Sequence, residues 1–193
     1  MHAMDEQNKL VRIHYLLPLS YANGPGKRSV FWLPGCLSGY AASGNPTMHA
    51  SYDGGTLFHV DYLLRRVQDL GDTIEGVTIA GGEPLEQYAA IYHLLWSIKE
   101  HTSLSVVLCT GYSMDALVHQ GYAELLAYVD VLIVECPEAN LSVASLAAGC
   151  DKPQFHFITE RYSVDDMLAV PSSEVIITRD GDVIVTGMHP LQW

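Results

Sequence analysis

The chain has 193 residues, 49% of them hydrophobic and 17% charged, a balance that buries a sizeable core in one domain and excludes a disordered protein. Twenty-two acidic residues against 10 basic ones give a formal charge of −12, which disfavours phosphate backbones and anionic membranes and makes nucleic acid a poor partner. No positively charged signal peptide and no apolar run of membrane-spanning length is present, and the four cysteines lack short paired spacing, so a reducing cytoplasmic location is expected.

In chain order, residues 10–16 and 29–33 read as β-rich runs. Residues 34–55 follow as a long loop without regular period, the kind that carries function. Residues 60–67 have apolar positions at helical spacing, with Asp61 near the start where a carboxylate meets the positive end of the helix dipole. A buried strand is expected over 76–80, an amphipathic helix over 85–100, a strand over 104–108, a helix over 114–126 and a strand over 131–135. Strands alternating with helices imply parallel pairing through right-handed crossovers. Near the C-terminus, residues 174–178 and 182–186 flank Arg179-Asp180-Gly181, and Asp-Gly supplies the positive φ of a tight hairpin turn. No repeat or low-complexity linker divides the chain, so one domain over 1–193 is expected, with a core at about 10–170 and an appended hairpin and tail at about 171–193.

Three segments carry chemistry. The loop Gly35-Cys36-Leu37-Ser38-Gly39-Tyr40-Ala41-Ala42-Ser43-Gly44-Asn45-Pro46 has the frame C-x3-C-x2-C-x-N-P, with Cys36 at the first ligand position and Tyr40 and Ser43 at the others. Ahead of it lies Asn23-Gly24-Pro25-Gly26-Lys27-Arg28-Ser29-Val30-Phe31, and behind it Thr78-Ile79-Ala80-Gly81-Gly82-Glu83-Pro84-Leu85. Together they resemble the radical S-adenosylmethionine (SAM) superfamily, in particular the activating enzymes of glycyl-radical proteins and of anaerobic ribonucleotide reductase. Their pattern begins D-G-P-G-x-R, with Asn23 here in place of Asp. Cys109-Thr110-Gly111-Tyr112 and residues 129–135 resemble the family's later strands, so the likeness spans about residues 11–136.

The resemblance implies an α/β fold, an incomplete parallel β/α barrel with SAM bound at the carboxyl ends of its strands. Gly81, Gly82, Glu83 and Pro84 would hold the methionyl end of SAM, and Asn45, Tyr40 and Ser43 occupy loop positions beside it. Independently of family, the two glycines let backbone approach a ligand, Glu83 can accept from an ammonium group, and Pro84 stiffens the exit. The bland alternative is a tight turn with Glu83 as a helix-start charge.

The family's loop holds a four-iron four-sulfur cluster through three thiolates, soft anionic donors matched to iron. Here one thiolate remains. A tyrosine phenol has an unperturbed pKa of about 10 and a serine hydroxyl is higher still, so neither replaces a thiolate near neutrality. A lone Cys36 is otherwise a small inert hydrophobe. Cys109 and Cys136 close apolar runs at the expected ligand edge, so a relocated site from Cys36, Cys109 and Cys136 is conceivable. A different metal reading joins His59 and Asp61, in H-x-D spacing, to His156 or His189. The helix-start role of Asp61 explains that spacing better. His49 after the loop is a further candidate near Cys36.

Two functions follow. One is a degenerate radical-SAM-fold protein that has lost the standard cluster and binds SAM or a related small ligand in a non-radical or regulatory role. The other is an active activating-type enzyme that cleaves SAM reductively to a 5′-deoxyadenosyl radical from an unconventional cluster site, acting on a protein or small substrate.

Overall fold

A computed structural model describes residues 6–35, 54–134 and 153–187. Cys36, Tyr40, Ser43, Asn45, His49, Cys136 and His189 lie outside the described residues.

Six strands form the main sheet in the order β2-β3-β5-β6-β7-β8, namely Tyr15–Ser20, Arg28–Leu33, Gly76–Gly81, Ser105–Thr110, Val131–Val134 and Gln154–Phe157. The central four, β3, β5, β6 and β7, run parallel, and β2 and β8 close the two edges antiparallel. The fold is therefore mixed α/β with a parallel-rich sheet. β3 and β6 are buried at every position, the continuous pattern of strands covered on both faces.

Helices α1 (Val60–Leu70) and α2 (Tyr88–His101) cover one face. In α1, Val60, Leu63, Leu64 and Val67 fall one and two turns apart and point inward. They meet Ile91, Leu94, Leu95 and Ile98 of α2 and the strand residues Phe31, Leu33, Val77, Ile79 and Leu108 in one core. Each fully buried Leu or Ile there contributes about 1.5–3 kcal/mol. The opposite face packs Val107, Cys109, Val131 and Ile133 under Met167 of the short helix α4 (Val164–Leu168), and Leu17, Val30 and Trp32 as a smaller group.

The expected run over 10–16 breaks in two. β1 (Leu10–Ile13) leaves the main sheet and pairs antiparallel with β4 (Thr56–His59), a strand in the unassigned gap between the expected loop over 34–55 and the expected helix over 60–67. His14 marks the break, its N–H donating to the Trp32 carbonyl at 2.7 Å. The helix expected over 114–126 is likewise two pieces, α3 (Met114–His119) and a 3-10 turn over Ala123–Tyr128, parted at Gly121, whose φ is +75°. β9 (Glu174–Ile177) and β10 (Val183–Thr186) pair antiparallel around Gly181. Among the described residues no helix is long and apolar enough to cross a membrane.

Two buried polar groups fix the sheet. Arg28, wholly buried in β3, donates to Thr78 Oγ1 at 2.8 Å, the Pro25 carbonyl at 2.9 Å, Ser105 Oγ at 2.9 Å and the Val77 carbonyl at 2.8 Å. It thereby ties the Gly24-Pro25-Gly26 turn across β3, β5 and β6. Asp130, ahead of β7, accepts from Lys99 Nζ at 2.8 Å, the Val106 N–H at 2.8 Å and Thr159 Oγ1 at 2.9 Å.

Candidate functional site

The carboxyl ends of β3, β5 and β6 lie side by side, the edge at which open α/β sheets bind ligands. β5 stays paired with β3 to its last residue, Leu33 opposite Gly81. Beyond that, the Gly82 N–H donates to the Leu33 carbonyl at 2.8 Å and the Glu83 N–H to the Gly35 carbonyl at 3.0 Å. The turn after β5 is thus laced onto the residue immediately preceding Cys36. Both glycines are required: Gly81 has φ +110°, and a Cβ on Gly82 would collide with the Gly35 carbonyl.

On its other side β5 parts from β6. Their ladder ends at Ile79 opposite Leu108, leaving an opening between the strand ends. Glu83 spans it. Its Oε1 accepts from the Leu85 N–H at 2.9 Å and from Thr110 Oγ1 at 2.8 Å, and its Oε2 accepts from the Gly111 N–H at 2.8 Å. Thr110 Oγ1 accepts in turn from the Tyr112 N–H at 3.1 Å. Glu83 is also the N-cap of the 3-10 turn Pro84–Gln87, with Pro84 at its first position. Burial raises the Glu83 pKa above its ordinary value, and the hydrogen bonds from Leu85, Gly111 and Thr110 oppose that rise.

These contacts alter the part Glu83 can play. A carboxylate offers about four lone-pair directions, and three protein donors already occupy it. Three donors from two strand ends make Glu83 a holder of the turn after β5. Thr110 and Gly111 are participants that the sequence marks only as part of the Cys109-Thr110-Gly111-Tyr112 segment at the end of β6.

Cys109 is 9% exposed and packed with Val107, Val131 and Ile133 under Met167. Its would-be partners Cys36 and Cys136, and with them the relocated thiolate set, lie outside the described residues. Among the described residues no group of three His, Cys, Asp or Glu side chains could hold a metal ion. His59 caps α1, its Nδ1 accepting from the Asp61 N–H at 3.2 Å. His156 sits on β8, the far edge strand of the main sheet, whereas β4 belongs to the separate ribbon.

The site defines an α/β protein whose glycine turn after β5 is laced onto the residue before Cys36. Residues 22–154 match the family described as a 4Fe-4S single cluster domain, and the chain belongs to that family. It is 30% identical over 140 residues to the anaerobic ribonucleoside-triphosphate reductase-activating protein of Enterobacteria phage T4, covering 70% of this chain and 87% of that one. It is 29% identical over 126 residues to the protein of the same name from Vibrio cholerae, covering 62% of this chain and 80% of the relative. Over 163 residues it is 24% identical to the pyruvate formate-lyase-activating enzyme of Staphylococcus aureus, covering 80% of this chain and 63% of that enzyme. The chain is of the radical SAM activating-enzyme type.

The residues present fit the two cofactors of that type unequally. The glycines at 81 and 82 lie against the backbone of Leu33 and Gly35, leaving the turn small and free of side chains, which is compatible with the amino-acid end of SAM. The donor set at Cys36, Tyr40 and Ser43, with one thiolate, a phenol and a hydroxyl, does not fit a cluster held by three thiolates.

Proposed function

We propose that this chain is an activating-type enzyme of the radical SAM family that binds SAM where β3, β5 and β6 end and works on a protein partner in the cytoplasm. The observation that carries the reading is the lacing of the Gly82-Glu83 turn onto Leu33 and Gly35, which sets the SAM turn against the start of the cysteine loop. The relatives, named as activators of an anaerobic reductase and of pyruvate formate-lyase, support a protein substrate. Glu83 holds the turn, and the backbone at Gly81 and Gly82 receives the ammonium end of SAM. The sheet is one wall of an incomplete barrel, with the β9-β10 hairpin appended to a single domain. An iron–sulfur centre in this protein draws on ligands other than residues 40 and 43.

A second reading rests on the donor set itself. With one thiolate in the loop, the chain is a SAM or small-ligand binding module without radical chemistry. Iron and acid-labile sulfide, measured with EPR after dithionite reduction on protein prepared without oxygen, separate the two. About four irons and four sulfides per chain with a reduced-cluster signal uphold the enzyme reading. Cluster-free protein that still binds SAM by calorimetry upholds the module.

A further inference from the structure

The opening between β5 and β6 has a single described side-chain bridge from the ligand turn, and Thr110 is the hinge of that bridge. We propose that Thr110 is a positioning residue: acting through Glu83, its hydroxyl sets the width of the opening between the ends of β5 and β6 and so places the Gly81-Gly82 turn for the amino-acid end of SAM. This inference rests on the SAM reading above.

The geometry gives the reason. Up to Ile79 and Leu108, ladder hydrogen bonds hold the two strands together. Past that point β5 follows β3, with Gly81 still opposite Leu33, while β6 continues to Thr110. Nothing in the backbone pattern then fixes how far Gly81 and Gly82 stand from Thr110. The Thr110 hydroxyl does so with both of its capacities at once, donating to Glu83 Oε1 at 2.8 Å and accepting from the Tyr112 N–H at 3.1 Å. It is 2% exposed, so water cannot take its place on Glu83. Gly111 completes the clamp from the same strand end, its N–H on Glu83 Oε2. A valine of the same shape keeps the packing of β6 but deletes both bonds, leaving a buried carboxylate short of a donor and removing the hydroxyl that accepts from the Tyr112 N–H. The Glu83 carboxyl, already raised by burial, then rises further.

The test compares wild type with Thr110→Val and Thr110→Ser by calorimetric titration with SAM across pH and by amide exchange at Leu85, Gly111 and Tyr112, with thermal melts as a folding check. The valine variant is expected to bind SAM about tenfold more weakly, the worth of one hydrogen bond to a charged group. Its acid limb of binding moves to higher pH, and the three amides exchange faster. Serine, which keeps the hydroxyl, restores all three readouts. A valine variant that binds SAM with wild-type affinity and pH profile overturns the inference. Should wild type itself bind no SAM, the SAM reading fails on its own and the exchange data decide the clamp. Amides that exchange at wild-type rates in the valine variant overturn it, and faster exchange reversed by serine upholds it.

Discussion

The Glu83 N–H donates to the Gly35 carbonyl at 3.0 Å, joining the turn after β5 to the residue before Cys36. That bond requires the two backbones to touch, which is why Gly82 has no side chain. Its consequence is mechanical: Gly35 and the turn after β5 meet at one backbone junction.

Gly82→Ala tests that junction. The added Cβ meets backbone, which cannot rotate aside as a side chain would, so the turn must shift away from Gly35. We expect a loss of about 1–3 kcal/mol in urea unfolding, the usual cost of overpacking, together with loss of SAM binding by calorimetry. An alanine variant with wild-type stability and affinity would show that the turn and the loop are not in contact in solution.

Arg28→Lys probes the opening segment. The arginine reaches hydroxyls and carbonyls from four directions, and a lysine has three donors on one atom. Burial lowers the Arg28 pKa, yet the guanidinium stays charged, its cost met by those acceptors and the Tyr162 hydroxyl at 3.4 Å. Stranding several buried acceptors at about 1–3 kcal/mol each should unfold much of the population. Circular dichroism during urea titration reads it, and a midpoint close to wild type contradicts the network.

How far the sequence disclosed this site depends on which atoms did the work. Gly81 and Gly82 were legible as a tight turn because a glycine pair after a strand supplies the positive φ and the absence of a side chain that such a turn needs. Glu83 was legible as important, but its partners were not: Thr110 and Gly111 lie 27 and 28 positions away, and only the parallel pairing of β5 with β6 brings them near. β4 was hidden because four residues between an aperiodic loop and a helix are too few to show a period. The break at His14 was hidden for the opposite reason. Residues 10–16 are uniformly strand-like, and only the long-range bond to Trp32 reveals that they serve two sheets.

Asp130 predicts acid sensitivity. Burial alone would raise its pKa, but hydrogen bonds from Lys99, Val106 and Thr159 outweigh burial and hold it below the ordinary 3.8. A carboxyl depressed in the native state contributes stability above its unfolded pKa, and that contribution is lost as pH falls toward the native value. Asp130→Asn should therefore lose stability at neutral pH and show a flatter decline on acidification than wild type, measured by urea unfolding at a series of pH values. Parallel curves for the two proteins would mean that Asp130 does not titrate as its contacts require.

Glu83 predicts the opposite slope. Its pKa is raised above the ordinary 4.5, with burial the largest cause. A carboxyl raised in the native state contributes stability that is full below its unfolded pKa and disappears as pH rises through its native value, because in that window the folded protein holds the proton more tightly. Glu83→Gln removes this titration and also turns an amide N–H2 toward the Gly111 N–H or the Thr110 hydroxyl, since a single carbonyl oxygen cannot accept from all three donors. One orphaned buried donor costs about 1–3 kcal/mol at every pH. The stability gap between wild type and Glu83→Gln should consequently widen as pH falls from neutrality through the Glu83 titration. The corresponding gap for Asp130→Asn should narrow over the acid range. If both gaps move together, the two carboxylates do not occupy the opposed environments seen here, one dominated by burial and the other by its donors.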